Sequence, residues 1–287
     1  MSHVIEAAAG SAVEGPAPEI GDADFARVQR FIFAAAGITL GPSKKALVTG
    51  RLGRRLAEHG LTAWRPYLEL LESGAQPDEV QIAIDLLTTN ETYFFREARH
   101  LEALRGIAAA AAAAAPAATF RVWSAACSSG EEVYSIAMVL DECRGSAPWQ
   151  VLGTDISRRV LHDAVRGIYT MERARHLSHD QLARHCLKGT DEHEGRLLVR
   201  RELRRNVSFG QLNLNEPLPD LGRFDVIFLR NVMIYFSEDT KRQVVARVLS
   251  VLQPGGHLCV GHSESLNGLT DAVAAVAPAM YRKPPRP

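Results

Sequence analysis

Hydrophobic and polar residues follow two different rhythms along this chain. In the N-terminal third, apolar residues recur at the spacing of amphipathic helices. Four helices are predicted there, at about 24–36, 42–59, 63–72 and 78–87. The pattern therefore indicates a small all-α domain over residues 22–90. The preceding residues, 1–21, are rich in Ala, Gly and Pro and show no periodicity, so we expect a disordered tail.

From residue 120 onward, short apolar runs of strand length alternate with helical patterns. Residues 120–126 form such a run, a turn around Gly130 follows, and residues 131–140 resume at helical spacing. Strand, glycine-containing turn and helix form the opening unit of a doubly wound α/β domain. Further strands are expected at about 150–155, 224–232 and 257–261, and an edge strand or hairpin at 272–281. Residues 120–287 are therefore predicted to form this domain.

Two segments depart from this plan. Residues 91–119 are predicted to be a linker helix and a run of alanines, which has high helix propensity. Residues 175–209 contain two short apolar stretches, 197–200 and 207–209, beside the polar loop 189–195. We interpret this second segment as a small antiparallel β insert within the α/β domain.

Composition narrows the class of protein. The chain has 287 residues, 46% of them hydrophobic, so it can bury a sizeable core. Its formal net charge is zero, which gives no support to nucleic-acid binding. The four cysteines are widely spaced and lack a Cys-x-x-Cys pair, which argues against a zinc site and a disulfide framework. That spacing also leads us to expect no metal. No apolar stretch reaches membrane-spanning length, so we expect a cytoplasmic protein that is not inserted into a membrane.

The turn after the first predicted strand favours a particular ligand charge. A dinucleotide-binding turn would carry three glycines, whereas here Gly130 is followed by Glu131 and Glu132, which would repel phosphate. The turn therefore suits a ligand with a cationic part. Asp155 ends the next strand about 25 residues later, where nucleoside-binding folds carry the carboxylate that binds ribose hydroxyls. Asp155 could instead be only an N-cap of the following helix.

A basic arc on the second predicted helix is a candidate recognition surface. Lys44, Arg51, Arg54 and Arg55 gather there, and no acid precedes Glu58 in that helix. Because no partner one turn away would neutralise these charges, recognition competes with the simpler interpretation of a solvated face.

An aromatic segment joins the two predicted domains. Phe94 and Phe95 stand beside the hydrogen-bonding side chains of Asn90, Thr92 and Arg96. The segment could be a packed domain junction, or it could be a lid over a pocket.

Five motifs now stand in a specific order along the chain. They are Asn90-x-Thr-x-Phe-Phe-Arg-Glu97, Trp123-Ser-Ala-Ala, Gly130-Glu-Glu-x-Tyr-Ser, Arg230-Asn-Val-Met-Ile-Tyr-Phe236 and Gly261-His-Ser-Glu264. Together they resemble the CheR family, S-adenosylmethionine-dependent methyltransferases that esterify glutamates of chemotaxis receptors. The resemblance covers residues 22–282 and implies a class I methyltransferase sheet with an all-α N-terminal domain and a small antiparallel β insert. It also implies that the products are glutamyl methyl esters and S-adenosylhomocysteine.

The resemblance implies a site as well. The cofactor-binding residues carried over from matching positions are Asn90, Thr92, Arg96, Glu132, Asp155, Asn213, Leu214, Arg230 and Asn231. Arg96 and Tyr235 are expected at the point of methyl transfer. Glu132 is preferred to Glu131 by its alignment with the motif, and Glu131 stays open as the alternative.

Partners are implied in the same way. The basic N-terminal helix of the family meets the receptor's methylation helices, which makes Lys44, Arg51, Arg54 and Arg55 the candidate contacts here. The β insert of the family can dock a receptor's C-terminal peptide, but here Asp191 stands where a glycine is often found, which weakens that expectation. The protein is expected to act as a monomer.

Two more departures from the family pattern matter less. Val133 replaces a proline that commonly follows the paired acids, and proline there only favours helix initiation. The run of alanines replaces a charged segment, so that connection says nothing about function.

Three other classes stay in view. A nicotinamide dehydrogenase would share the α/β opening but needs the three-glycine turn. A nucleic-acid methyltransferase would share the cofactor. The strand end Arg230-Asn231-Val232 nevertheless lacks the Asn-Pro-Pro-aromatic signature of adenine N6 modification, and the chain is not basic. A non-catalytic interaction module would have no need of Arg96, Asp155 and Tyr235, and failure to bind S-adenosylmethionine would favour it.

Overall fold

The computed structural model describes residues 18–285 of the chain. These residues belong to two compact units, one ending at Thr89 and the other beginning at Asn90. Residues 1–17 of the predicted disordered tail lie outside the described part. In the remainder of that tail, Ile20 is buried and the carbonyl of Pro18 accepts a hydrogen bond from the Trp64 indole at 2.8 Å. The prediction of disorder is therefore wrong for the end of the tail, where Ile20 and the Pro18 carbonyl are held within the first unit.

The first unit is all-α, as the helical periodicity predicts. Its helices are α1 (Asp22–Ala36), α2 (Lys45–Glu58), α3 (Trp64–Ser73) and α4 (Pro77–Leu87), with a 3-10 turn at Pro42–Lys44 before α2. The apolar stripes meet in a core that includes Val28, Ile32, Leu52, Leu56 and Leu68. Burial of these stripes stabilises the helices, since isolated helices of this length are marginal in water.

The second unit alternates strands and helices. In chain order its elements are α5 (Ala98–Ala114), β1 (Phe120–Ser124), α6 (Glu131–Arg144), β2 (Trp149–Asp155), α7 (Arg158–Arg166), β3 (Ile168–Thr170), α8 (His179–His185), β4 (Cys186–Lys188), β5 (Arg196–Val199), α9 (Arg201–Arg204), β6 (Val207–Gln211), β7 (Phe224–Leu229), α10 (Glu238–Ser250), β8 (Leu252–Val260), β9 (Ala274–Ala277) and β10 (Met280–Arg282). Two 3-10 turns lie at Asp191–His193 and Met233–Tyr235. None of the helices in residues 18–285 has the length and apolar character needed to cross a bilayer.

The main sheet has seven strands in the order β6-β2-β1-β7-β8-β10-β9. The strands from β6 to β8 are parallel, and the terminal β9–β10 hairpin adds antiparallel to β8. This arrangement confirms the predicted doubly wound sheet and its terminal hairpin. Because β1, β2 and β7 are parallel neighbours, their carboxyl ends share one edge of the sheet, where α/β folds bind ligands.

The small antiparallel sheet has the order β3-β5-β4, so the predicted insert exists but its boundaries differ. Residues 207–209, predicted as an insert strand, instead lie in β6 and pair parallel with β2. Residues 168–170, which precede the predicted insert, supply β3. The boundaries differ because a short apolar run predicts a strand but does not predict which sheet the strand joins. Phe209 also packs its ring edge-on against Tyr134, so β6 contacts α6 as well as β2.

Helix α5, which contains the alanine run, belongs to the second unit. Its residues Leu101, Leu104 and Ala108 are buried in the core that also contains the apolar face of α6. The Ala108 carbonyl accepts a hydrogen bond from the buried Arg144 guanidinium at 3.0 Å. The alanines therefore form the second half of a packed helix that precedes β1.

Candidate functional site

The carboxyl edge of the main sheet gathers polar side chains from β1, β2 and β7. Ser124 ends β1, Asp155 ends β2, and Arg230 and Asn231 follow β7 directly. Backbone hydrogen bonds hold these strand ends in register, from Ala125 to Phe228 at 2.8 Å and from Cys127 to Thr154 at 2.9 Å. The structure therefore brings the predicted residues Asp155, Arg230 and Asn231 to one edge.

The turn between β1 and α6 requires its glycine. Gly130 has a positive φ of 92°, and a Cβ there would lie 2.9 Å from both the Ala164 Cβ and the Tyr169 hydroxyl. Ser128 also has a positive φ, of 50°, which is uncommon for a residue with a side chain. The tight turn places the first two residues of α6, both acidic, next to the strand ends.

The two acids at the start of α6 face different surroundings. Glu131 is fully buried, accepts a hydrogen bond from the Ser129 hydroxyl at 2.7 Å and forms an ion pair with Arg173. Burial raises the pKa of Glu131, although Ser129 and Arg173 oppose that shift. Glu132 faces the strand ends, where it accepts a hydrogen bond from the Ser124 hydroxyl at 2.7 Å. The geometry favours Glu132 over Glu131 as the residue that meets a ligand at this edge.

The guanidinium of Arg230 is the centre of the polar cluster. Its side chain is 2% exposed and lies 2.8 Å from the Glu132 carboxylate and 3.0 Å from the Glu97 carboxylate. It also donates to the carbonyl of Arg96 at 2.7 Å. Burial favours the neutral form of Glu97, but Arg230, the His262 backbone N–H and Asn231 together hold the Glu97 pKa below its usual value. A buried arginine between two acids is the arrangement in which such ions tolerate burial.

Asp155 is held rigidly at the end of β2. Its carboxylate accepts hydrogen bonds from the backbone N–H groups of Ser128, at 2.8 Å, and Ser157, at 3.0 Å. The N-cap residue of α7 is Ser157, so the alternative interpretation of Asp155 as the N-cap is wrong. The two bonds orient the carboxylate at the same edge as Glu132.

Residues 90–97 pack on the second unit. Phe94 is buried with its ring edge-on to Tyr169, and the Phe95 backbone N–H donates to the Ser135 hydroxyl at 2.9 Å. Phe95 and Glu97 have positive φ values of 57° and 54°, a strained conformation that the surrounding packing must impose. For Phe94 the packed interpretation is the one that the structure supports.

The predicted residues in this segment have separate environments. The Asn90 carbonyl accepts a hydrogen bond from the Ser128 hydroxyl at 2.8 Å, so Asn90 lies beside the turn before α6. Thr92 is partly buried. The Arg96 guanidinium donates to the Glu91 carbonyl at 2.8 Å and lies over the Tyr93 ring. Only the backbone of Arg96 contacts the Arg230 cluster directly.

The remaining predicted residues follow β6 and β7. Asn213 and Leu214 come just after β6, and the backbone N–H of the preceding Leu212 bonds to the Asp155 carbonyl at 2.9 Å. The Asn213 amide donates to Glu216 at 2.9 Å, which shapes the turn. Tyr235 ends the 3-10 turn that follows Asn231 and is partly buried.

Three polar residues of this edge received no role from the sequence. Ser124 holds Glu132, Glu97 holds Arg230, and Glu264 accepts the backbone N–H of Asn231 at 2.8 Å. Glu97 and Glu264 lie within the motifs that carry the family resemblance, which was the available signal. Their partners are far away in the sequence, so spacing alone could not identify the contacts.

Three possible metal ligands lie next to this cluster. One donor atom from each of Glu97, His100 and His262 falls within 4.8 Å of the others. The Arg230 guanidinium already lies against the same Glu97 oxygen, so a cation would meet a positive charge there. Burial and the charge of Arg230 lower the pKa of His100 to about 4, which keeps its ring neutral at physiological pH.

The basic arc at α2, in the first unit, is less exposed than expected, because two of its four cations bond to other residues of the unit. Arg51 donates to the carbonyls of Leu86 and Thr88, at 3.1 and 2.9 Å, and so caps the end of α4. Arg55 is 19% exposed and pairs with both oxygens of Glu79, which is 4% exposed. These two predicted contacts are therefore engaged inside the unit.

The other two members of the arc remain on the surface. Lys44 is exposed, and Arg54 is 87% exposed and pairs with Glu58 at 3.0 Å. The expectation that no acid one turn away neutralises the arc is wrong, because Glu58 lies at that position. The accessible positive charge is smaller than the sequence indicated.

Family models match both units of the chain. The CheR methyltransferase all-alpha domain matches residues 23–88, and the CheR methyltransferase SAM binding domain matches residues 90–281. The chemotaxis protein methyltransferase of Escherichia coli (strain K12) is 45% identical over 255 residues, covering 87% of each chain. Chemotaxis protein methyltransferase 2 of Pseudomonas aeruginosa is 38% identical over 261 residues, covering 90% of this chain and 92% of that one.

Solved structures give a more distant likeness. The N-methyltransferase NodS from Bradyrhizobium japonicum WM9, in complex with S-adenosyl-l-homocysteine, has a TM-score of 0.39 and 14% identity to this chain. The superposition covers 70% of this chain and 95% of that one.

Proposed function

The chain belongs to the CheR methyltransferase family, and from that premise we propose that it methylates glutamate side chains of chemotaxis receptors. It is a methyltransferase that uses S-adenosylmethionine, so the family and the cofactor implied by the sequence motifs are confirmed. The products of this reaction are glutamyl methyl esters and S-adenosylhomocysteine.

One observation supports a cofactor site at the carboxyl edge of the sheet. An acid and an arginine, Glu132 and Arg230, lie 2.8 Å apart there, close to the strand that ends in Asp155. The methionine part of the cofactor carries an ammonium and a carboxylate, and a carboxylate and a guanidinium are the groups that recognise them. A phosphate-bearing cofactor would meet the repulsion of Glu132, the acid that faces the strand ends. The donor set therefore fits S-adenosylmethionine.

The proposed roles follow the position of each side chain. Glu132 binds the ammonium group, Asp155 binds the ribose hydroxyls, and Asn213 and Leu214 border the adenine. The remaining residues proposed to line the cofactor are Asn90, Thr92, Arg96, Arg230 and Asn231. The rigid hold on Asp155 by two backbone N–H groups supports its role, since a fixed carboxylate loses little entropy on binding.

The reaction needs alignment more than acid–base chemistry. A bound sulfonium supplies an electrophilic methyl group, and a glutamate with a pKa of about 4.3 is already ionised at neutral pH. No general base is therefore required. The protein must align the carboxylate and exclude water, and alignment alone is worth roughly 7–11 kcal/mol. We assign that task to Arg96, which orients the carboxylate without a tight ion pair, and to Tyr235, whose hydroxyl donates to it.

The receptor is the proposed macromolecular partner. Lys44 and Arg54, the exposed members of the basic arc, are the proposed contacts for the acidic face of the receptor's methylation helices. The β insert is the proposed docking site for a receptor's C-terminal peptide. Asp191 in its loop stands where a glycine is often found, which weakens this part of the proposal. The protein is proposed to act as a monomer. Its proposed location is the cytoplasm, where the helical regions of receptors are accessible.

The test is direct methyl transfer. The full chain is incubated with S-adenosylmethionine tritiated in the methyl group and with receptor cytoplasmic fragments. Base-labile tritium in the receptor band identifies glutamyl methyl esters. Label that resists base, or label that appears only in added nucleic acid, would contradict the proposed substrate class.

A further inference from the structure

Glu264 lies in the turn after β8, and its buried carboxylate accepts hydrogen bonds from three backbone N–H groups. One oxygen accepts from Asn231 at 2.8 Å and from Gly261 at 2.7 Å, and the other accepts from Ile234 at 3.2 Å. A single side chain therefore joins the ends of β7 and β8 to the 3-10 turn at Met233–Tyr235.

The packing is tight on the side of this carboxylate that faces Gly261 and Asn231. A Cβ on Gly261 would lie 2.5 Å from the Asn231 amide nitrogen and 2.7 Å from the Glu264 oxygen. Asn231 itself has a positive φ of 57°, a conformation that its neighbours must hold in place. The strand end, the glycine and the acid thus form one tightly fitted unit.

We propose that Glu264 is a positioning residue for methyl transfer, because its carboxylate fixes the 3-10 turn that presents Tyr235. The inference rests on the proposed function, in which Tyr235 touches the substrate carboxylate. Ile234, whose N–H bonds to Glu264, immediately precedes Tyr235 in that turn. A shift of the Ile234 backbone would move the Tyr235 hydroxyl, and misplacement by an ångström is enough to slow an aligned reaction.

The substitution Glu264→Gln separates the two halves of the contact. A glutamine offers one carbonyl oxygen and one NH2 group. Its carbonyl can keep the bonds to Asn231 and Gly261, which places the NH2 group against the N–H of Ile234. Two donors would then face each other, so the turn that carries Tyr235 is released while the strand ends stay joined.

The test is a double-mutant cycle in the full chain, with tritiated S-adenosylmethionine and a receptor cytoplasmic fragment. We expect Glu264→Gln to lower kcat by about tenfold and to leave cofactor affinity, measured by calorimetry, within about threefold. In a Tyr235→Phe background the same substitution should lower kcat by less than about threefold, because it acts through the missing hydroxyl. Ile234, Glu238 and Glu264 line a common cavity. Glu238→Gln is therefore the matched control, since this acid is exposed and pairs only with Lys241 among the described ion pairs, and its kcat should equal that of the wild type.

Equal losses of kcat in both backgrounds, or a loss of cofactor affinity as large as the loss of kcat, would overturn the proposal. Amide hydrogen exchange gives a readout that does not need turnover: Ile234 should exchange faster in Glu264→Gln, and unchanged protection would also overturn it. If the wild type labels no receptor fragment, the proposed function fails, and the exchange result still decides whether Glu264 holds the 3-10 turn. Should Glu264→Gln fail to fold by circular dichroism, Glu264→Asp replaces it in the same cycle.

Discussion

The buried guanidinium of Arg230 brings three separate segments to one point. It bonds to Glu132 at the start of α6 and to Glu97 and the Arg96 carbonyl in residues 90–97, while Arg230 itself follows β7. Its two carboxylate partners are 98 and 133 positions away in the sequence. An ion that is buried this fully is costly to unpair, by roughly 3–5 kcal/mol. Changes at Glu132 must therefore be judged by folding as well as by binding.

The first prediction compares the two adjacent acids of α6. Glu132→Gln removes the charge that meets the cofactor's ammonium, so the Kd for S-adenosylmethionine should rise by about tenfold. Glu131→Gln is the matched control, because Glu131 faces Arg173 and the Ser129 hydroxyl, and its Kd should stay within about threefold of wild type. Calorimetry measures both, with thermal unfolding as the check on folding. A larger rise for Glu131→Gln would exchange the two roles.

The second prediction concerns Asp155. Asp155→Ala removes the carboxylate proposed to bind ribose and should weaken cofactor binding by at least about tenfold. Asp163→Ala is the control, since this acid lies on α7, the next helix, and has no proposed role. Unchanged calorimetric affinity in Asp155→Ala would remove Asp155 from the ribose role.

At the scale of elements, α2 shows how a helix face can mislead. The four cations of the basic arc look alike in the sequence, although Lys44 lies just before α2. Arg51 and Arg55 bond to α4, and of the four only Lys44 and Arg54 stay accessible. Charge reversal at Arg51 or Arg55 would break contacts within the first unit, so it would test folding instead of receptor binding. The ion pair that buries Arg55 is formed with Glu79, which lies on α4. Because the two residues are on different helices, the spacing within α2 does not reveal the pair.

The third prediction concerns the pH dependence of the free energy of unfolding, through the contact between α2 and α4. Burial alone would raise the pKa of Glu79, but hydrogen bonds from Arg55 and Tyr67 hold it at about 2, against an ordinary value of 4.5. A depressed carboxyl pKa contributes stability above the ordinary value, and that contribution is lost as the pH falls from about 4.5 to about 2. It is on the order of 3 kcal/mol. Urea unfolding should show that Glu79→Gln is much less stable than wild type at pH 6 and that the gap narrows at pH 3. A gap that is equal at both pH values would show that Glu79 does not titrate this way.

The elements that the sequence predicts well are those with strong periodicity. The four helices of the first unit, the parallel strands and the terminal hairpin follow from apolar spacing that burial then satisfies. The membership of Val207–Gln211 in the main sheet does not follow, because edge strands of either sheet carry the same short apolar pattern. Tertiary pairing, which spacing along the chain does not encode, decides that assignment.

At the scale of the whole molecule, the sequence predicts which side chains lie at the carboxyl edge of the sheet, and it does not predict their contacts. Asp155 and Arg230 could be named because strand ends are local features, whereas the preference for Glu132 over Glu131 came from the family resemblance. The hydrogen bonds of Glu97 and Glu264, by contrast, depend on the sheet order. Glu264 accepts the backbone N–H of Asn231 and Glu97 accepts its side-chain amide, and a local pattern gives no measure of such long-range contacts.

The formal net charge of the chain is zero, so the molecule as a whole does not attract an acidic partner. Any steering of receptor helices must come from a local patch, and Arg54 is one of its two exposed proposed members. Arg65 on α3 is a matched control, because both arginines pair with a glutamate one turn later and their side chains are 87% and 79% exposed. The two substitutions Arg54→Glu and Arg65→Glu therefore change charge equally and disturb folding equally little.

The fourth prediction follows from that comparison. Arg54→Glu should lower the rate of receptor methylation by about tenfold at low ionic strength, and the deficit should shrink near 1 M salt, where charges are screened beyond about 3 Å. Cofactor affinity should not change in either variant, and Arg65→Glu should methylate at the wild-type rate. Equal rates for the two variants at low salt would show that the arc on α2 is a solvated face. A deficit in Arg54→Glu that persists at high salt would instead point to a direct contact whose shape, more than its charge, the receptor recognises.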